Sequence, residues 1–344
     1  MMENNLLKKL LSIRGMGQVI TVGIGLIIMC LVFGIINPLF FSPVNIANLL
    51  RQIAPILLIG IAQSFVLITG NIDLSIGSVV GMSCMVSATL MTRGVDPWVA
   101  AGITMVICLF TGVLNGFLVS GCKLPSFIAT LGTMTIARGV AQIVNNNYNT
   151  NLIGDGPVAN AFRDFFYYGK TFGIFNGIII AVVLWFIFNF LLSKTRTGRH
   201  IYATGSNLEA ARLSGVNTLH TVIKAYVVSA FCSGIVGLIT CATTGMGTMD
   251  AGNSYELYAV AAAVIGGVST LGGQGILLGT VVGACIWGAL ANGLQFAGAP
   301  VAIRNIVIGI IVVLSVFMDV IVRTRRTDKT KSKTTMKPTM VKAS

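Results

Sequence analysis

Charged side chains are scarce in this sequence of 344 residues. It has 23 Lys and Arg and 10 Asp and Glu, or 10% charged, and 55% of its residues are hydrophobic. A soluble domain has about 25% charged residues. So few charges cannot cover the surface of a soluble protein of this size, which excludes an ordinary cytosolic enzyme, a secreted disulfide scaffold and a disordered chain. The composition predicts an all-α polytopic membrane protein.

Residues for catalysis and metal binding are also scarce. The two histidines, His200 and His220, have no metal-ligand spacing, and no GxSxG motif occurs. Residues 169–171 are similar to the end of a phosphate-binding loop, but Asp164 stands where that loop needs glycine. The seven cysteines lack CxxC spacing and predict free, packed thiols. We therefore expect no enzyme activity, no ATP site and no cofactor in this chain.

Apolar runs dominate what remains. A membrane-spanning helix needs roughly 20 apolar residues, and about ten runs qualify. The eighth is short and runs into the glycine-rich residues 271–275, which predicts a broken or re-entrant helix. The predicted spans are 17–37, 53–69, 74–91, 97–120, 127–144, 174–193, 219–242, 257–270, 276–297 and 302–322.

The distribution of Lys and Arg predicts the orientation. With ten spans, sixteen of these residues fall on the side of both termini and five on the other side. The positive-inside rule therefore places both termini in the cytoplasm. We divide the chain into a cytoplasmic arm (1–16), a transmembrane domain (17–322) and a basic tail (323–344). The tail is predicted to be disordered and attracted to anionic lipids.

Two loops are long enough to have a function. The external loop 145–173 is rich in aromatics and is predicted to lie in the membrane interface. In the cytoplasmic loop 194–218, the residues after Asn207 or Ser206 predict a short helix of about two turns that Gly215 closes.

Glycines recur at four-residue spacing inside the spans, which favours close packing of helix backbones over any other role. They are Gly77 and Gly81, Gly112 and Gly116, and Gly275, Gly279 and Gly283.

Asp73 is the acidic residue nearest to the membrane interior. A carboxylate there is costly unless it is paired or hydrated. It can cap the third helix, which we favour, or bind a coupling ion or proton. Glu256 is predicted to lie at the start of the eighth helix, and Arg138 in the fifth span is predicted to extend toward the interface.

Four segments, in this order, resemble the ribose-type permeases of ATP-binding-cassette (ABC) transporters. They are GNIDLSIGS (70–78), SFIATLGTM (126–134), the loop KTRTGR…ATGSNLEAARLSGV (194–216) and YELYAVAAAVIGG…LGG (255–273). The chain departs from the family pattern at two positions, with Tyr258 in place of the usual Asp and Asn71 in place of the common Gly.

The resemblance implies a permease subunit of a bacterial importer in the cytoplasmic (inner) membrane, with a monosaccharide or a similar small polyol as cargo. The implied partners are a second permease subunit, identical or homologous, two cytoplasmic ATPase subunits that hold ATP and Mg²⁺, and an extracytoplasmic sugar-binding protein, without nucleic acid. The segment implied to contact the ATPase comprises Gly205, Asn207, Ala210, Ala211, Arg212, Leu213, Ser214 and Gly215.

A neutral sugar needs hydrogen-bonding groups within the spans and an aromatic face. The candidates for the pathway or a structural break are Asp73, Ser75, Asn115, Ser126, Phe127, Thr130, Thr133 and Glu256, with Thr135 and Phe296 as further possibilities. The alternative for each Ser and Thr is a hydrogen bond to its own helix. Two other functions stay open: an ion-coupled secondary transporter that uses Asp73, and a membrane-embedded enzyme.

Overall fold

The computed structural model describes residues 16–300 and, in the last predicted span, residues 302–304, 306–307, 309–311, 313–314 and 317. The predictions for the N-terminal arm before residue 16 and for the basic tail 323–344 concern residues outside this described part.

The described chain is mostly helical, as predicted, with one two-stranded hairpin. The elements are α1 (Met16–Ile36), a 3-10 turn (Pro38–Phe41), α2 (Pro43–Ile68), α3 (Ile76–Thr92), α4 (Pro97–Ser120), α5 (Ser126–Ile143), α6 (Pro157–Arg163), a π-helical turn (Asp164–Tyr168), β1 (Lys170–Thr171), β2 (Ile174–Phe175), α7 (Asn176–Lys194), α8 (Arg196–Ser206), α9 (Leu208–Leu213), α10 (Thr218–Thr244), α11 (Tyr255–Ile265) and α12 (Leu277–Phe296).

Six of the described helices are long and apolar enough to cross a membrane, by length and composition: α1, α2, α4, α7, α10 and α12. Helices α3 and α11 and the described part of 302–311 are apolar but shorter. The prediction of a polytopic, all-α membrane protein is confirmed.

The second predicted span begins too late. Helix α2 starts at Pro43, because Ser42 caps it by accepting a hydrogen bond from the Asn45 N–H at 3.3 Å, and proline suits a first helical position. Its first turns carry polar side chains such as Asn48 and Arg51. A search for apolar runs therefore misses the first turns of α2.

The eighth predicted span is interrupted, as expected. Helix α11 ends at Ile265, and Gly267 then adopts a left-handed backbone with φ +89°. Before α11, residues 245–254 form turns and irregular backbone that run along α3. Gly247 lies against Ala88 near one end of α3, whereas Gly252 lies against Gly77 in its first turn. Helix α11 therefore begins beside the first turn of α3.

Arg138 holds this irregular segment in place. Its guanidinium donates hydrogen bonds to the carbonyl oxygens of Met249 at 3.1 Å and Ala251 at 3.0 Å. The prediction that Arg138 extends toward the interface is wrong, because the unpaired carbonyls of the irregular segment bind the guanidinium inside the bundle.

The recurring glycines allow close packing, as predicted. A Cβ added at Gly112 would lie 2.7 Å from the carbonyl oxygen of Tyr226 in α10, and one at Gly81 would lie 2.7 Å from that of Ala251. A Cβ at Gly279 would overlap the carbonyl oxygen of Gly266. These glycines bring α3, α4 and α12 against the backbones of their neighbours.

Replacing Gly279 with valine is expected to destabilise the bundle by about 2 kcal/mol or more, because overpacking shifts the backbone. Thermal unfolding of the purified protein in lipid nanodiscs measures the effect. Gly23→Val is the matched control in α1, since no atom lies within 4 Å of a Cβ there. Equal midpoints for both variants would contradict the packing role.

The loop 145–173 contains α6, the π-helical turn and β1. Phe162, Phe165 and Phe166 surround Trp98 at centroid distances of 5.3 to 6.3 Å. The aromatics therefore pack on α4, and Phe162 and Phe166 are buried.

All seven cysteines are free, and Cys122 is the exposed one.

Candidate functional site

Asp73 lies in the non-helical connection between α2 and α3 and is 3% exposed. One carboxylate oxygen, Oδ1, accepts hydrogen bonds from the Ser75 N–H at 2.9 Å and the Ser75 hydroxyl at 2.6 Å. The other, Oδ2, accepts one from the Ser229 hydroxyl of α10 at 2.7 Å. The bond to the Ser75 N–H stays outside the helix: Ser75 is the N-cap residue of α3, and no side-chain cap hydrogen bond forms there, so the predicted capping of α3 by Asp73 is not observed.

The hydrogen bonds continue from Ser75 into two further helices. The Asn115 amide of α4 donates to the Ser75 hydroxyl at 2.9 Å, and the Thr133 hydroxyl of α5 donates to Asn115 Oδ1 at 2.7 Å. We call Asp73, Ser75, Asn115, Thr133 and Ser229 the Asp73 network. It joins α3, α4, α5 and α10 through side chains that are each at most 3% exposed.

Two further bonds hold the backbone beside Asp73. Tyr226 of α10 donates its hydroxyl to the carbonyl oxygen of Ile72 at 2.9 Å, and the Ile72 N–H donates to the Ser126 hydroxyl of α5 at 3.3 Å. Both polar groups of the Ile72 main chain are therefore paired with side chains of neighbouring helices.

Some predicted pathway residues lie outside the network. Thr130 and Thr135 donate to carbonyls of their own helix, at 2.8 and 3.0 Å, which is the alternative considered for them. Phe127 is 54% exposed on the surface of α5. Glu256 lies in the first turn of α11, as predicted, and Phe296 ends α12 at the far end of the bundle.

Sequence reasoning did not identify Ser229 and Tyr226, which complete the arrangement. They lie more than 150 residues from Asp73, and nothing local distinguishes them from other polar residues in apolar helices. Fully paired networks of this kind are rigid, since any unpaired member is costly at low dielectric.

The loop 194–218 folds into two helices. The predicted short helix is α9, with Asn207 as its cap: its Oδ1 accepts from the Ala210 N–H at 2.9 Å. Gly215, at φ +81°, closes it, and its N–H donates to the carbonyl of Arg212 at 3.0 Å. Helix α8, which Thr195 caps, was not predicted.

Helix α9 exposes two leucines together with one acidic and one basic side chain, Glu209 and Arg212. Leu213 is 88% exposed and Leu208 is 51% exposed, and Arg212 beside them is exposed too, whereas Ala211 is buried against the protein. In the described chain these leucines have no covering element.

The end of α8 contacts two non-helical segments of the bundle, one between α2 and α3 and one between α11 and α12. We call them the interrupted segments. The Gly273 N–H donates to the carbonyl oxygen of Ile68 at 2.8 Å, which joins the glycine-rich turn to the end of α2. A Cβ at Gly205 would overlap this carbonyl, and one at Gly272 would lie 2.8 Å from Cα of Gly70. We call this close contact of Ile68, Gly70, Gly205, Gly272 and Gly273 the glycine junction.

Tyr202 of α8 strengthens the glycine junction by donating its hydroxyl to the carbonyl oxygen of Gly275 at 2.6 Å. Burial raises the pKa of this hydroxyl to about 12, so it stays protonated and able to donate at neutral pH.

The two departures from the family pattern have local partners. The Tyr258 ring packs edge-on against Trp287 at 4.4 Å and lies 5.7 Å from Tyr255. The Asn71 amide donates to the Thr69 hydroxyl at 2.9 Å and to no other side chain. Tyr258 therefore belongs to an aromatic cluster, and Asn71 to the turn that follows α2.

Most of the chain matches one known protein family. Residues 45–316 match the family described as branched-chain amino acid transport system / permease component. No solved structure matches.

Three relatives illustrate the similarity. The ribose import permease protein RbsC of Bacillus subtilis is 35% identical over 91% of this chain and 96% of its own. The D-allose transport system permease protein AlsC of Escherichia coli is 34% identical, covering 86% and 89%. The fructose import permease protein FrcC of Rhizobium meliloti is 30% identical, covering 86% and 83%. The chain is thus a multi-pass membrane protein that belongs to this family of transport-system permease components.

Proposed function

We propose that this chain is the membrane-spanning permease subunit of a bacterial ABC importer for a neutral monosaccharide. The observation that carries the proposal is the similarity, over at least 86% of the chain, to permeases named for ribose, allose and fructose. In this proposal the chain forms the pathway in the cytoplasmic membrane and has no ATP site, and ATP and Mg²⁺ bind to separate ATPase subunits.

The exposed surface of α9 supports a coupling role. Leu208, Arg212 and Leu213 form a small, solvated patch, with the acidic Glu209 beside them, at the end of the bundle with the most predicted positive charge. Such a patch suits docking into a groove of a cytoplasmic ATPase. A second permease subunit and an extracytoplasmic sugar-binding protein complete the proposed importer.

The glycine junction includes Gly205, which is followed along the chain by α9, and Gly70, which precedes Asp73. Motion of α9, when the ATPases close, reaches the end of α8 directly, because one residue, Asn207, separates the two helices. Through Gly205 the motion arrives at both interrupted segments. We propose that their displacement, together with the helices that the Asp73 network joins, opens the pathway by rigid-body rocking.

The proposal is tested by co-purification and transport. The tagged chain is isolated in a mild detergent from cells that carry its partner genes, and mass spectrometry identifies the bound proteins. We expect an ATPase with Walker motifs, and ATP-driven uptake of a monosaccharide, but not of leucine, after reconstitution. A chain that transports alone under an ion gradient would contradict the proposal and favour the ion-coupled alternative with Asp73.

Gly215→Trp and Arg212→Glu are each expected to lower sugar uptake by about tenfold or more and to weaken ATPase binding, because hot-spot substitutions at an interface cost about 2 kcal/mol. Lys123→Glu is a matched charge reversal in another loop, outside the α8–α9 segment. Uptake and bound ATPase are measured together. Normal uptake by a correctly inserted Gly215→Trp/Arg212→Glu double variant would contradict the coupling role.

A further inference from the structure

A cavity of about 400 Å³ opens at the end of the bundle opposite α8 and α9, between the start of α2 and the end of α12. It takes no part in the Asp73 network or the glycine junction. Its lining comprises Leu39, Ser42, Val44, Asn45, Asn48, Gln52, Tyr167, Asn292, Gln295 and Phe296.

Five carboxamides line this cavity: Asn45, Asn48, Gln52, Asn292 and Gln295. Asn45 and Asn292 are buried and pair reciprocally, with amide-to-oxygen distances of 2.9 and 3.1 Å, and Asn45 also donates to the carbonyl oxygen of Phe40 at 2.8 Å. This buried pair is fixed and joins the two helices that form the walls.

The other three carboxamides are available for a ligand. Asn48, Gln52 and Gln295 are exposed, and their side chains make no hydrogen bond to any described residue. The rings of Tyr167 and Phe296 are partly buried and complete the lining. The cavity therefore presents several donors and acceptors beside two aromatic rings.

Charge is excluded from this lining. Arg51 is nearby, but its guanidinium lies over the Phe175 ring and, at 5.0 Å, over the Tyr167 ring, and it does not line the cavity. A charged ligand would find no partner among the lining residues, and an apolar ligand would leave the amides unpaired.

We propose that this cavity binds a neutral polyhydroxylated ligand of about the size of one monosaccharide. A carboxamide both donates and accepts, as each hydroxyl of such a ligand does, and an aromatic ring packs on its apolar face. The volume lies within the range of small-molecule sites, about 300–1,000 Å³. The inference extends the proposed function, because it gives the cargo a contact at the end predicted to face outward.

The test measures binding to the chain alone, so that it does not depend on ATP-driven transport. The protein is placed in phosphatidylcholine nanodiscs, because maltoside detergents carry sugar headgroups. Saturation-transfer difference NMR is recorded with D-ribose, D-allose and D-fructose at millimolar concentration. A second arm adds a short-chain glucosyl lipid, which separates a free sugar from a lipid headgroup as the source of the hydroxyls.

We expect a signal from at least one free sugar, and about tenfold weaker binding, or 1.4 kcal/mol, in Gln52→Leu/Gln295→Leu. Val44→Trp places a ring in the cavity from a position that is 73% exposed, and it should block binding without loss of a polar group. Gln142→Leu in α5 is the control, since it removes a carboxamide outside the cavity, and it should bind like the wild type.

Two results would overturn the inference: no signal from any of the three sugars or the glucosyl lipid, or a signal that persists in both cavity variants. A signal from the glucosyl lipid alone would assign the site to a lipid headgroup. Absence of ATP-driven uptake with sugar binding intact would contradict the proposed function and leave this site standing.

Discussion

Replacing Asp73 with alanine is expected to abolish uptake and to lower the free energy of unfolding by about 3 kcal/mol or more. The substitution removes the acceptor of three hydrogen bonds and leaves the hydroxyls of Ser75 and Ser229 buried without it. Each unsatisfied buried group costs about 1–3 kcal/mol. Thermal unfolding and ATP-driven uptake are measured on the same nanodisc or proteoliposome samples.

Asp96→Ala is the matched control for this carboxylate. Asp96 is exposed and caps α4 by accepting from the N–H groups of Trp98 and Val99 at 2.9 and 3.3 Å. Its loss should cost about 1 kcal/mol, as for other caps, and leave uptake intact. Equal effects of the two substitutions would show that the Asp73 network has no special role.

The energy source of wild-type uptake separates the two transport mechanisms. In an ABC permease, uptake by the wild type should persist when proton and sodium gradients are collapsed, as long as ATP is supplied. An ion-coupled transporter would stop under those conditions.

Asp73→Asn keeps the shape of the side chain but turns an amide toward the hydrogen-bond donors. Its free energy of unfolding should lie between those of the wild type and Asp73→Ala.

Gly205→Ala is expected to lower uptake by about tenfold or more, a change of 1.4 kcal/mol, while the assembled complex continues to hydrolyse ATP. The added Cβ would overlap the carbonyl of Ile68 and lie 2.7 Å from the Gly273 nitrogen, so α8 must move away from both interrupted segments. The ratio of ATP hydrolysed to sugar transported should rise, which a merely less stable protein would not show.

Gly102→Ala is the control for this experiment. It adds the same methyl group inside α4, where nothing lies within 4 Å of the new atom. It should retain the wild-type ratio of ATP hydrolysed to sugar transported. An unchanged ratio in Gly205→Ala as well would contradict transmission through the glycine junction.

The apolar runs of the sequence predicted the ends of most membrane helices to within two residues, because a helix surrounded by lipid must be apolar along its length. The predicted span 97–120 coincides with α4, and 276–297 differs from α12 by one residue at each end. The prediction failed at the start of α2, where the polar residues Asn48 and Gln52 line a cavity.

The site was predictable only in part. Asp73, Ser75, Asn115 and Thr133 were identified because polar side chains are costly in apolar segments, but the bond from Ser229 to Asp73 is a tertiary contact across 156 residues. The glycine junction was harder still to predict. Its contacts are made by backbone atoms and depend on the absence of side chains, so the glycine-rich residues 271–275 predict an interruption of the helix but not its contact with Gly205 and Ile68.

The main-chain contacts of the glycine junction have a consequence for protein engineering. Ile68, Gly205 and Gly273 meet through main-chain atoms, so, apart from the Tyr202 hydroxyl, the contact depends on the lack of side chains and not on polar or charged groups. Residues that face the cargo can be exchanged without redesign of the junction. We therefore expect that an engineered change of cargo preference can be confined to side chains of the spans, with the machinery between α9 and the bundle left as it is.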